Sequence, residues 1–199
     1  MRKPVGLETL APLLKKPFFT STEAKKLGVS CALVGHYIKT GRLRHLGHGI
    51  YQNSEYKNLS DSYQWEDLIE AVTSIPNGII CLISALSIYD ITDEIPRQHW
   101  IAVPHGTTIR RGRTIKIVRL RNIELGKTEI DLDGTRIRIF DRERTIVDAF
   151  RLLSYEIAIK ALKMALSQRG SQKLDLIKLQ TYAKQLRFDI TPYLITATT

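Results

Sequence analysis

The segment "FFTSTEAKKLGVSCALVGHYIKTGRLRHLGHGIYQ", Phe18 to Gln52, constrains the fold more than any other, because its residue types mark where helices start and stop. Thr20 stands three residues before Glu23. That is the spacing of a capping box, in which each side chain satisfies an N–H that the helix start leaves without a partner. A helix from there should bury Ala24 and Leu27 and end at Gly28, since glycine takes the left-handed conformation of a helix end without a Cβ clash. Val29 fills a short turn. Ser30 is an N-cap for a second helix running to Thr40, which Gly41 ends as Gly28 ends the first. Two capped helices joined by a tight turn make a helix-turn-helix. After Gly41, Leu43 to Leu46 and Ile50 to Gln52 read as short strands split by "GHG", a small hairpin. A helix near Leu7 to Lys16, with Pro12 inside its apolar pattern, should precede the pair. Three helices and a hairpin predict a winged helix-turn-helix domain over residues 1–57.

The polar stretch "NSEYKNLSDSYQ", Asn53 to Gln64, lacks apolar periodicity and puts the domain boundary near Asn58. Beyond it, "WEDLIEAVTSI" carries Leu68, Ile69, Val72 and Ile75 at helical spacing, and "IICLISALSIY" reads as one nearly all-apolar core helix. Strands are predicted at Trp100 to Val103 and Ile115 to Leu120. A hairpin follows, Glu129 to Leu132 and Thr135 to Phe140 across "LDGT". Helices then return at Arg142 to Leu153, Glu156 to Ser167 and Leu174 to Leu186. The expected class is therefore α+β: the winged helix, then a mixed α/β domain over residues 58–199 with a small, mostly antiparallel sheet.

Charge separates the two parts. The first 52 residues hold nine lysines and arginines against two glutamates, and the remaining 147 hold twenty-one against eighteen. A basic N-terminal domain attracts a polyanion. In the helix Cys31 to Lys39, packing Val34, Tyr37 and Ile38 inward leaves Cys31, Ala32, Gly35, His36 and Lys39 outward. Small outward residues allow close approach to a groove, and Ser30 with the first-turn N–H groups suits a phosphate. Thr20, Ser30, His36, Lys39, Arg42, Arg44 and His48 form the expected DNA-facing set. No Arg, Asn or Gln points outward from the second helix, so its base readout should be modest. A second basic concentration comprises Arg110, Arg111, Arg113, Lys116, Arg119 and Arg121. Arg136 and Arg138 share one face of their strand. These suit an acidic partner or nucleic acid, and a merely solvated sheet face accounts for them equally well.

Catalytic patterns are weak. Asp131 and Asp133 belong to a turn-like "DLDG". Asp141 reads as an N-cap, with Arg142 and Arg144 in surface pairs. The five histidines show no ligand spacing to one another or to Cys31 and Cys81, so no metal and no cofactor is expected, and the protein reads as a non-enzyme. No apolar run is long enough to span a bilayer, and the N-terminus lacks a signal-peptide core, which predicts a cytoplasmic protein.

Beyond these readings, "FTSTEAKKLGVS", the "G-R-L-x-x-L-G-x-G-I-Y" of Gly41 to Tyr51, "ICLISALSIYDITDEIP", "WIAVP", "IFDRERTIVDAF" and "ITPYL" occur in this order along nearly the whole chain. In this the chain resembles the AbiEi antitoxins of bacterial type IV toxin-antitoxin (abortive-infection, phage-defence) systems. The resemblance implies a winged helix that represses its own operon at promoter DNA, and a C-terminal domain that counteracts a nucleotidyltransferase-like toxin without a stable complex. His48 stands where members often carry Arg, which makes the tip sensitive to pH. A stand-alone winged-helix transcriptional regulator with a partner-binding C-terminal domain is the other reading.

Overall fold

The computed structural model describes residues 7–16, 18–47, 49–56, 65–109 and 114–198. The chain mixes α and β structure and groups into two compact units, 1–76 with 131–137 and 77–130 with 138–199. The expected boundary at Asn58 falls outside the described residues.

In the first unit a 3-10 turn, Leu7–Leu10, leads into α1 (Ala11–Leu14). The helix expected over 7–16 is thus broken, and Pro12 sits in the first turn of α1, where a missing N–H costs nothing. β1 (Phe19–Thr20), α2 (Ser21–Lys26), α3 (Cys31–Lys39), β2 (Leu43–Gly47), β3 (Ile50–Asn53) and α4 (Glu66–Ser74) follow. The strands form an antiparallel sheet in the order β1-β3-β2, with Thr20 opposite Ile50. β1 was not expected, since two residues are too few to give an alternation. Leu10, Leu13, Phe19, Ala24, Val29, Val34, Tyr37 and Leu43 make the core. Leu27, expected inside, is 37% exposed. α4 groups with this unit, turns Leu68, Ile69, Val72 and Ile75 inward, and holds Gln52 of β3 through Glu66, whose Oε1 accepts from Gln52 Nε2 at 3.0 Å.

The second unit opens with β4 (Ile79–Ile80) and α5 (Leu82–Ile88). The apolar run read as one helix is therefore a strand and then a helix. Ile80 pairs with Ile101 on one side and Ile139 on the other, and a strand buried on both faces shows a continuous apolar run instead of an alternation. The chain turns from strand to helix through Leu82 at φ 47, a left-handed conformation unusual for leucine, held by its complete burial. Then come β5 (His99–Pro104), β6 (Ile115–Leu120), β7 (Lys127–Leu132), β8 (Thr135–Phe140), α6 (Arg142–Leu152), α7 (Tyr155–Ser167), α8 (Leu176–Gln185) and α9 (Thr191–Thr198), with the tip of the β7–β8 hairpin, 131–137, grouping with the first unit. α9 was not expected.

The sheet order is β6-β5-β4-β8-β7. It is mixed, not mostly antiparallel: β5 runs parallel to β6 and β4 parallel to β8, while β4 and β5 are antiparallel. β5 and β6 are in register from His99 opposite Ile115 to Pro104 opposite Leu120. The β7–β8 hairpin is the one that "LDGT" predicted. Asp133 (φ 49) and Gly134 (φ 76) are both left-handed, as a type I′ turn requires, and Asp131 Oδ1 accepts from Gly134 N at 3.0 Å. α5 to α9 enclose a second core that includes Leu86, Ile146, Phe150, Ala161, Leu162, Leu179 and Leu194.

At the centre of this unit lies Arg144, expected in a surface pair and found 1% exposed. Every residue of α6 from Glu143 to Phe150 is buried, so the i,i+4 partner of Arg144 is a buried Asp148. Arg144 Nε donates to Asp148 Oδ2 at 2.7 Å, and Nη1 donates to the carbonyls of Asn122 and Leu125 at 2.9 and 2.8 Å. Its guanidinium lies 4.6 Å from the centre of the Phe140 ring. The other oxygen of Asp148 accepts from Arg151 Nη1 at 2.7 Å. Replacing Arg144 with Leu leaves a buried carboxylate short of a partner and two carbonyls without donors. We predict a loss of about 3–5 kcal/mol in denaturant unfolding of the second unit. The double variant Arg144→Leu/Asp148→Leu, which removes both charges, should lose less than the sum of the two single changes.

Candidate nucleic-acid interface

Between Thr20 and Ser54 the exposed basic side chains stand on a frame of helix caps. The predicted capping box is present: Glu23 N donates to Thr20 Oγ1 at 3.2 Å, and Thr20 N donates to Glu23 Oε2 at 2.8 Å. Thr20 Oγ1 also donates to Glu23 Oε2 at 3.1 Å, so the one hydroxyl proton of this candidate contact is already used within the cap. Lys16 Nζ donates to the other oxygen of Glu23 at 2.8 Å. Burial acts to raise the Glu23 pKa, but the hydrogen bonds and charge of Lys16 and the donors of Thr20 outweigh it and hold the carboxyl below its ordinary 4.5.

Both helix ends close in the same way. Gly28 (φ 80) donates its N–H to Lys25 O, and Val29 N donates to Ala24 O at 3.0 Å. Gly41 (φ 74) donates to Ile38 O, and Arg42 N to Tyr37 O at 2.9 Å. These are paired Schellman closures, in which the residue after the glycine is tied back to the third-last helical residue. The first turns Val29 into the core to meet Ala24, which sets where α3 begins. The second fixes the backbone of Arg42 directly beyond α3, and Ser54 N holds Arg42 O from the far end of β3.

On α3, Val34 and Tyr37 are buried and Ile38 is half-buried, while Cys31, Ala32, His36 and Lys39 are exposed, as the helical spacing predicts. Ser30 Oγ accepts from Leu33 N at 3.2 Å, which leaves its O–H free to donate. The N–H groups of Cys31 and Ala32 lie in the first turn and have no use inside the helix. A Cβ added at Gly35 would meet nothing within 4 Å, so this glycine leaves the helix surface open instead of serving a contact within the unit. Leu43 is buried between exposed Arg42 and Arg44. A bulge between His45 and Gly47 shifts the β2–β3 register, and Gly49 O accepts from Ser21 N at 2.8 Å, joining the hairpin to the first turn of α2. Ser30, His36, Lys39, Arg42 and Arg44 are thus brought onto consecutive parts of one unit. His48 lies outside the described residues. The expected set lacked His45, which is exposed and lies 5.5 Å from the Tyr51 ring; its place next to Arg44 in the strand was the available signal.

The second basic concentration is described in part. Arg110, Arg111 and Arg113 lie outside the described residues. Lys116 Nζ sits 5.0 Å over the Trp100 ring, Arg119 Nε donates to Thr107 O at 3.3 Å, and Arg121 is exposed. Arg136 and Arg138 are exposed on β8. Arg138 Nη1 donates to Asn77 Oδ1 at 3.3 Å.

The carboxylates of α6 have structural partners. Asp141 Oδ1 accepts from Arg144 N at 2.9 Å as the helix N-cap, and its Oδ2 accepts from Tyr182 Oη and Lys178 Nζ. Glu143 Oε1 accepts from Asp175 N. Burial works against the charged Lys178, but its hydrogen bond to Asp141 and the charges of Asp141 and Glu143 raise its pKa overall. Burial first, and the nearby Asp148 second, push the Cys81 thiol well above its ordinary value, which makes it a packing residue at neutral pH. Among the described residues no group of three His, Cys, Asp or Glu is placed to hold a metal, and no helix is long and apolar enough to cross a membrane.

No family model matches the chain, and no curated protein matches it.

A carboxylate whose folded pKa is depressed adds stability that is complete above its unfolded value and disappears as pH falls through the folded one. The first unit should therefore be more stable than its Glu23→Gln variant at pH 7, and the gap should close as pH is lowered from 4.5. Lys16 is 44% and Glu23 35% exposed, so the difference should stay at or below about 1 kcal/mol. Thermal melts of both proteins across pH 3 to 7 measure it, and a gap that persists at about pH 3 would assign it to packing.

Proposed function

We propose that the first unit is a winged helix-turn-helix that binds double-stranded promoter DNA, with α3 presented to the major groove and the β2–β3 hairpin as the wing. The observation that carries this reading is the acid-free run from Ala24 to Ser54, which holds Lys25, Lys26, Lys39, Arg42 and Arg44 on a helix pair and hairpin whose geometry is fixed by caps. Phosphate neutralisation supplies most of the affinity, and the exposed small residues of α3 admit close approach with limited base readout. Ser30 contributes its hydroxyl and the start of α3 to a backbone phosphate.

The ordered motifs shared with the AbiEi antitoxins extend the proposal to the whole chain. It is an autorepressing, cytoplasmic, non-enzymatic antitoxin, and its C-terminal unit counteracts a nucleotidyltransferase-like toxin. In line with that reading, the acidic clusters of α6 that resemble catalytic pairs are each used in helix caps or buried ion pairs.

Two measurements test the two halves. In a titration of its own promoter fragment against salt, Arg42→Ala and Arg44→Ala should each reduce the slope of log Kobs against log salt by about one. Unchanged slopes would remove both residues from the contact. Co-expression with the neighbouring toxin gene should restore growth when the C-terminal unit is intact and Arg42 and Arg44 are both Ala. Failure of that variant to protect would assign neutralisation to DNA binding alone.

A further inference from the structure

β6 is the outermost strand of the five-stranded sheet, and among the described residues no strand pairs with its outer side. An edge strand of this kind offers a row of main-chain donors and acceptors to an incoming extended segment. Its side chains give that segment a defined partner. Ile117 and Val118 are half-buried and alternate apolar footing along the strand, while Lys116, Arg119 and Arg121 are exposed. Lys116 lies over Trp100 and Arg119 is held by Thr107 through Nε, which positions both cations while leaving their remaining N–H groups to donate. The surrounding sequence has one sign of charge: no Asp or Glu occurs between Arg97 and Arg121.

We propose that β6 is a docking edge for an acidic extended segment of another protein, which adds as a sixth strand and sets carboxylates against Lys116 on one face of the sheet and against Arg119 and Arg121 on the other. Main-chain bonds give such a contact its affinity, and alternating side chains give it specificity. A second copy of this chain is disfavoured on the same edge, because β6 against β6 opposes cation to cation. A nucleic acid would answer the charge but leave the row of backbone groups unused. The inference rests on the reading of the C-terminal unit as partner-binding and is independent of DNA binding by Arg42 and Arg44.

The test uses the full chain and a capped, fluorescently labelled ten-residue peptide of glutamate pairs separated by valine and threonine, which carries carboxylates on both faces of an extended strand, read by anisotropy at low salt. Three controls accompany it: the same peptide with alternate backbone nitrogens methylated on either edge, the peptide with lysine for glutamate, and a single-stranded oligonucleotide of equal charge. Saturable binding is expected, with at least tenfold loss on backbone methylation of one edge, at least tenfold loss in Lys116→Glu/Arg119→Glu, and no change in Arg42→Ala/Arg44→Ala. Equal binding of all methylated peptides would reduce the contact to charge alone and overturn the proposal. So would displacement of the peptide by the oligonucleotide at lower concentration than by unlabelled peptide, which would make β6 a nucleic-acid surface.

Discussion

The second unit depends on the buried ion pair of Arg144 and Asp148. Taking two charges out of water is costly, and mutual attraction offsets that cost only when the remaining donors and acceptors are also satisfied. Here they are. One guanidinium makes an ion pair along α6, supplies donors to two carbonyls of the loop before β7, and rests on the ring that ends β8. The second oxygen of Asp148 is satisfied by Arg151. The loop must then come close enough for its carbonyls to reach, and Gly126 makes that possible. At φ 70, with a hypothetical Cβ only 2.5 Å from Arg144 Cβ, no other residue fits there without displacement of α6. Gly126 O in turn accepts from Asp141 N, placing the N-cap of α6 against the same loop. A helix start, a loop and two strand ends are thus positioned by one side chain, which explains why a segment dense in charge, "FDRERTIVD", runs through the interior.

The first unit is organised by a different means. Its core is small, and its two central helices are only six and nine residues long, too short to be stable by helix propensity. Caps at each end compensate. The Thr20–Glu23 box starts α2, a Schellman closure turns Val29 inward, Ser30 starts α3, and a second closure sends Arg42 out of its end. Each cap directs the next element as well as ending the last. The candidate interface inherits its geometry from this chain of local bonds: Ser30 caps α3 at its exposed start, and Arg42 is both the last residue of a closure and the first cation of the hairpin.

Local determinants were accordingly the legible ones. The box, the serine cap, both glycine ends and the "DG" turn lie within a few residues of what they control, and the exposed face of α3 followed from spacing alone. What the sequence could not convey depends on partners distant along the chain. Ile79 and Ile80 form a strand because Ile101 and Ile139 flank Ile80, and their apolar character is equally that of a core helix. Parallel pairing of β5 with β6 is likewise set by partners across the sheet, and the alternation within each strand is the same for either direction. Arg144 and Arg142 have the same residue type and lie two apart, yet one is buried beside Asp148 and the other sits over the Tyr89 ring. Nothing in the local pattern separates them before α6 is known to be enclosed on every side.

The same contrast accounts for the distribution of charge. In the C-terminal unit the acids are spent close to cations: Asp148 on Arg144 and Arg151, Asp141 and Glu143 on Lys178, Asp93 on Lys160. The two-residue turn of the β7–β8 hairpin sets Asp131 opposite Arg136 and Glu129 opposite Arg138, as the register of such a turn requires. Arg136 and Arg138 therefore belong to a balanced sheet face, although their alternation in sequence matches that of a binding strip. Around β6 the sequence has no carboxylate between Arg97 and Arg121, and the first after it, Glu124, pairs with Lys127. The positive excess of the chain lies in two acid-free runs of sequence, Ala24 to Ser54 with five lysines and arginines and Arg97 to Arg121 with seven, and a polyanion has most to gain there.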